Sequence, residues 1–199
     1  MISDPDSHQD HLDHLDHRDR KDQPEHQDRP ARPARPAPRA PVIRTALPAE
    51  AETIAELHFR ARSTYYPDGV PQDGLDWRAA WRASIERADA HVLCAVERGR
   101  IAGVASFRVP DGAASADTVK LFQFHVEPAH WRLGIGTALH RACVEQWRAD
   151  RRRAAVLEVH ADNARAQAFY ARRGWVPDPE HPPAEGDHHL YLRYTLARE

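Results

Sequence analysis

Cysteine is nearly missing from this chain: 199 residues hold two, Cys94 and Cys143, each in an apolar run. That excludes the cross-linked framework of a small secreted domain. The two thiols read as small buried residues of a reducing compartment. There is also no stretch of 18 apolar residues, so no membrane-spanning helix is expected. The first residues lack the apolar segment of a secretory signal. An excess of charge of either sign is missing too. The formal net charge is −2, which gives no bulk attraction to nucleic acid or to a lipid surface. Together these absences predict a cytoplasmic protein that binds neither.

What is present is uneven. Over the whole chain 41% of residues are hydrophobic and 29% charged, which suits one globular domain with an appendage. Residues 1–40 form the appendage. They hold nine acids, seven Lys or Arg and six prolines, with Ile2, Leu12 and Leu15 as the sizeable apolar side chains beyond Met1. Such a segment cannot bury enough surface to offset its ordering entropy, so disorder is expected. It carries two three-residue repeats, one of histidine from His11 to His17 and one of Arg-Pro from Arg29 to Pro36. The histidines would hold a transition metal only opportunistically, and no metal cofactor is expected. Residues 41–199 keep 21 acids and 21 Lys or Arg of the chain's 30 and 28, so the domain is neutral.

The stretch from Leu121 to Leu139 organises that domain. Leu121 to Val126 alternates apolar and aromatic residues as a strand does, and Pro128 ends it. From Ile135 the period changes, with Ala138, Leu139, Ala142 and Cys143 at helical spacing. Gly134 and Gly136 lie at the junction. The first N–H groups of a helix have no internal partner and carry the positive end of its dipole, which favours an anion. A Walker A loop needs Gly-Lys-Ser/Thr, which is absent. A dinucleotide turn needs a third glycine where the chain has Leu139. The anion site is of another kind.

A second stretch follows one helix later. Ala155 to His160 reads as a strand, then come Asn163, Phe169-Tyr170 and Gly174-Trp175. With Trp131-Arg132-Leu133-Gly134-Ile135-Gly136 before it, the chain resembles the GCN5-related N-acetyltransferase superfamily from about Val42 to Leu196. That superfamily's phosphate loop reads Gln/Arg-x-x-Gly-x-Gly/Ala. Here Trp131 stands in the Gln/Arg place, with Arg132 beside it.

The remaining elements complete an α/β pattern. Strands are expected at 42–46, 91–96, 101–109, 154–160 and 190–196, with a short one near Trp175 and Val176. Helices are expected from Pro48 to about Thr64, from Leu75 to Arg87 with Trp77, Trp81 and Ile85 on one face, and from Asn163 to Arg173. The resemblance implies a mixed, mostly antiparallel sheet of about seven strands, splayed at its two central parallel strands, with helices on both faces.

The resemblance also implies an acetyl-CoA co-substrate and an amine acceptor. The diphosphate would meet the amides of Leu133, Gly134, Ile135, Gly136 and Thr137, flanked by Trp131 and Arg132. The pantetheine arm would pair with Phe124 and Val126 as an added strand, near His125 and Phe169. Amides near Val126 would hold the reacting carbonyl. Asn163 would bond the arm, although capping its helix would explain it equally. Tyr170 is the expected general acid, with Phe169 on the core side and Tyr170 toward the cleft. The base stays open between Glu158, His125 acting through water, His160, Gln123 or a water relay. Tyr65, Tyr66 and Gln123 are expected at the acceptor. Acids at Asp178, Glu180, Glu185 and Asp187, and at Asp68, Asp73 and Asp76, bias that acceptor toward a cationic amine, small or on a peptide. Oligomeric state is open, a homodimer included. Two rival readings are a non-catalytic acyl-CoA-binding domain and a tail-driven metal-binding or interaction protein.

Overall fold

The computed structural model describes residues 40–197 apart from Pro67, Gln72, Asp73 and Glu185. The extension expected to be disordered, with both of its repeats, lies outside the described residues, as do Asp73 and Glu185.

The chain opens with β1 (Val42–Thr45) and a 3-10 turn at Pro48–Glu50, then α1 (Ala51–Arg62) and α2 (Trp77–Glu86). A hairpin follows, β2 (Ala90–Glu97) and β3 (Arg100–Arg108), then β4 (Thr118–Val126) and α3 (Ile135–Ala149). The last elements are β5 (Ala154–His160), α4 (Ala164–Ala171), β6 (Val176–Pro177) and β7 (His189–Thr195). α1 ends earlier than its periodicity suggested because Ser63 and Thr64 turn their hydroxyls onto the carbonyls of Phe59 and Ala61. α2 starts later because Asp76 caps it, its carboxylate accepting from the Ala79 amide at 3.0 Å.

The seven strands form one sheet in the order β1-β2-β3-β4-β5-β7-β6. All neighbouring pairs are antiparallel except β4 and β5, which run parallel. That pair matches Thr118 with Ala154, Val119 with Ala155 and Lys120 with Val156, and goes no further. The reason is local. Ser106 faces Gln123 and Phe107 faces Leu121, so Phe122 is an extra residue in β4. A bulge bends its strand, and here it turns β4 away from β5 just beyond Lys120.

Helices cover both faces. On one face Ile54, Leu57 and Trp81 of α1 and α2 bury against Val92, Cys94 and Val104. On the other Ile135, Leu139 and Trp147 of α3 bury against Phe107, Leu121 and Leu157. Cys94 and Cys143 fall in these separate cores, both buried and free. Arg60 of α1 pairs with Glu127 just after β4 at 2.8 Å, which helps set α1 across the splayed end. Among the described residues no helix is long and apolar enough to cross a membrane.

The α3 core contains one polar contact with a pH consequence. Trp175 donates its indole N–H to His140 Nε2 at 2.9 Å. An indole nitrogen only donates, so His140 must be neutral there. Burial, with Arg173 nearby, pushes its pKa down to about 4. An unfolded imidazole titrates near 6.5, so the unfolded chain takes up the proton first. Stability should therefore be intact above about pH 6.5 and fall by up to about 3 kcal/mol as pH drops toward 4. Urea unfolding at pH 7 and pH 4.5 checks this. His140→Gln, whose amide oxygen still accepts from Trp175, should lose that part of the acid sensitivity.

Candidate active site

The bend in β4 opens a gap whose walls are main chain. The Glu127 amide donates to the Ala102 carbonyl at 2.9 Å. Antiparallel rungs alternate, so His125 and Gln123 also turn their main-chain groups toward β3. Phe124 and Val126 turn theirs the other way, into the gap that β5 has left. Val126 meets one internal partner there: the Trp131 indole N–H donates to its carbonyl at 3.0 Å. The expected pairing of an added strand at Val126 therefore falls to its N–H, and Trp131 acts as a brace for that residue.

 On the α3 side the gap widens into a cleft of about 690 Å³. A separate groove of about 390 Å³ lies between α1 and α2. The α3 cleft holds the glycine turn. Gly134 takes a left-handed φ of +82°, and the start of α3 has no side-chain cap, so its first amides are unanswered by side chains. A Cβ on Gly136 would stand 3.4 Å from the Phe169 ring, so glycine lets the turn and that ring pack closely. Arg132, Arg165, Arg172 and Arg173 line the cleft, and no Asp or Glu among the described residues does. Arg165 stacks over the Trp131 ring at 3.9 Å, and Arg173 donates to the Thr137 hydroxyl. Unpaired amides and four guanidiniums make this cleft an anion site suited to a diphosphate.

On the other side of β4 lies a second cleft of about 380 Å³. Tyr65 and Tyr66 stand at its rim, their rings 5.0 Å apart and both against His160. Gln123 and His125 reach into it from β4. His125 stacks on His58 at 4.3 Å, and Trp81 donates to His58 Nδ1 at 3.2 Å. Gln123 Oε1 lies 2.7 Å from His125 Nε2. An amide oxygen only accepts, so Nε2 carries the proton and Nδ1 the lone pair. Burial, then the neighbouring His58 and Arg62, hold the His125 pKa well below its usual value.

The two clefts share Tyr65, Phe124, His125, Asn163, Ala166 and Tyr170. At this junction Tyr170 is 6% exposed, its ring packed on Phe124 and Trp175. Its hydroxyl makes no hydrogen bond to any described residue. Burial raises its pKa far above the usual phenol value. The expected division, with Phe169 in the core and Tyr170 in the cleft, is corrected: both line the cleft, and Tyr170 is the more buried. The Trp175 amide, bonded to the Tyr170 carbonyl, folds the chain back over that ring.

Other expected residues have acquired definite partners. Asn163 caps α4, its Oδ1 accepting from the Ala166 amide at 3.1 Å, which leaves its NH₂ facing the clefts it lines. Glu158 pairs with Lys120 beside the last paired rung, so its carboxylate is already engaged. His160 Nδ1 accepts from the Asp162 amide at 3.2 Å. Leu133 is 48% exposed at the turn. Of the acids expected near the acceptor, none of the described ones lines the aromatic cleft. Asp178 is 3% exposed and bonded to Arg193 at 3.0 Å, while Asp76 caps α2. Sequence reasoning missed Arg165, Arg172 and Arg173, whose signal was their recurrence along and just after one short helix. Among the described residues no group of three His, Cys, Asp or Glu could hold a metal ion.

A sheet opened between two parallel strands, with an anion-binding turn on one side and an aromatic cleft on the other, defines an acyl-CoA N-acyltransferase fold. The model of the Acetyltransferase (GNAT) family matches residues 51–175, and the chain belongs to that family. Solved structures agree on the fold. PaiA N-acetyltransferase from Thermoplasma acidophilum, in complex with coenzyme A, is 16% identical with a TM-score of 0.63, covering 79% of this chain and 100% of that one. The ribosomal-protein-S18-alanine N-acetyltransferase from Escherichia coli is 18% identical with a TM-score of 0.62, covering 80% and 96%. The yncA protein from Salmonella typhimurium, with its cofactor acetyl-CoA, is 22% identical with a TM-score of 0.57, covering 80% and 95%. No curated protein matches the chain.

Proposed function

We propose that the chain transfers an acetyl group from acetyl-CoA to a primary amine by direct attack in a ternary complex. The observation that carries this reading is the meeting of the two clefts at Tyr170, one rich in arginine and free amides, the other aromatic. Coenzyme A in the Thermoplasma structure and acetyl-CoA in the Salmonella structure support it. The thioester supplies an activated acetyl carbonyl and a thiolate leaving group.

The residues of this chain have separable tasks. Leu133 to Thr137 and the four arginines hold the diphosphate end. The Phe124 main chain holds the pantetheine arm, with the Asn163 NH₂ beside it. The Val126 N–H donates to the carbonyl oxygen as negative charge builds there. Tyr170 keeps a proton for the departing sulfur. An alkyl ammonium with a pKa near 10.4 has no lone pair at neutral pH, so its proton must leave first. His125, neutral and with a lone pair on Nδ1, takes it through water. Glu158 is less suited, because Lys120 already holds its carboxylate.

These ionisations predict a pH profile. His125 stays neutral well below pH 7, so it imposes no acidic limb near neutrality. The rise of kcat/KM with pH should follow the acceptor's own ammonium, and should move when an amine of different pKa is used. Burial keeps Tyr170 protonated, so no downturn should come from it before about pH 10. A fall between pH 8 and 9 would count against Tyr170 as the acid. The reading itself is tested by thioester consumption with acetyl-CoA across an amine panel. Coenzyme A binding with no turnover on any amine would favour a non-catalytic acyl-CoA-binding protein.

A further inference from the structure

Arg62, in the last turn of α1, lines the aromatic cleft. Its guanidinium lies between two rings, 5.2 Å from the Tyr66 centroid and 5.5 Å from that of Trp77. Its hydrogen bond to the Tyr66 hydroxyl is long at 3.4 Å. No carboxylate among the described residues pairs with it, although its neighbours are answered: Arg60 by Glu127 and Lys120 by Glu158. Its charge reaches across the site, contributing to the shifts of Tyr65, His125 and His160. Counting histidines as neutral, the described residues of the cleft lining carry Arg62 and Lys120 against Glu158 alone. A purely cationic amine would therefore enter a cleft with a surplus positive charge. A guanidinium fixed between aromatic faces presents a planar fork, which matches a carboxylate in two parallel bonds.

We infer that the acceptor is a small amino-carboxylate whose carboxylate is bound by Arg62 while its amine lies at the Tyr170–His125 junction. This rests on the transferase reading and narrows it. A volume of about 380 Å³ suits a single amino acid or a compound of that size. Arg62 then sets which amine is chosen, and the junction residues carry out the transfer.

The test compares matched trios, L-methionine and L-phenylalanine each with its primary amide and its decarboxylated amine. Transfer from acetyl-CoA is measured as kcat/KM. Binding to coenzyme A-saturated protein is measured by calorimetry in parallel. The free carboxylates should be preferred by about tenfold or more, as one charge-assisted contact supplies. The trio members differ in amine pKa, so the preference is judged as its change on mutation. Arg62→Gln should erase it while leaving KM for acetyl-CoA unchanged, and Arg62→Lys should keep part of it. Arg62→Lys also carries the test if Arg62→Gln fails to fold. Amines acetylated without any carboxylate preference would overturn the inference and leave the transferase reading intact. Arg62-dependent carboxylate binding without transfer would support the inference and defeat the transferase reading. Carboxylates neither bound nor acetylated would overturn it.

Discussion

Gly134→Glu should abolish coenzyme A binding while leaving the protein folded. A Cβ at Gly134 would meet nothing within 4 Å, so the side chain has room in the free protein. The strain is confined to the backbone, where a φ of +82° costs a non-glycine residue about 1–2 kcal/mol. The new carboxylate would sit at the uncapped start of α3, where the helix dipole and the cleft arginines attract it. It would thus occupy the anion site and repel a second anion. Like charges placed together in an interface cost several kcal/mol, which corresponds to at least about a hundredfold in affinity. Calorimetry with coenzyme A measures it, and circular dichroism confirms the fold. Retained affinity in a folded variant would show that the diphosphate is not held at this turn.

Tyr170→Phe should lower kcat by about 10² to 10⁴, the usual range for loss of a positioned proton donor. Affinity for coenzyme A should hold. The ring packs on Phe124, Phe169 and Trp175, and phenylalanine keeps those contacts. The lost hydroxyl had no hydrogen bond within the described protein, so its removal strands no partner. That separates chemistry from structure: a structural tyrosine would show its loss in stability, a proton donor in turnover. Unchanged kcat with an unchanged melting temperature would remove Tyr170 from the mechanism. A matching fall in stability and in coenzyme A affinity would mark it as a packing residue.

Much of this could be read from local pattern. The change from alternation to helical period between Val126 and Ile135 follows from the geometry of single elements. So does the placing of Gly134 where a left-handed residue is needed. The limits of the reading show at β4. The alternating run from Leu121 to Val126 was legible, but Thr118, Val119 and Lys120 were not. Those three residues pair with β5, and the legible ones run beside the gap. The bulge at Phe122 that separates the two groups leaves no mark in hydrophobic period.

Side-chain partnerships were the least legible. Asp178 and Glu158 read as available charges, yet Arg193 and Lys120 engage them from other strands. Arg62 drew no attention in the sequence, and it stands in the aromatic cleft without an acidic partner among the described residues. Such pairings cross 15 to 38 residues of sequence where they occur.

The sequence by itself determined the elements, the anion-binding turn and the family resemblance, because these depend on neighbours within a few residues along the chain. Only the tertiary structure decided which charges remain free. Whether a carboxylate or a guanidinium is available to a ligand depends on what the fold brings against it from distant strands and helices.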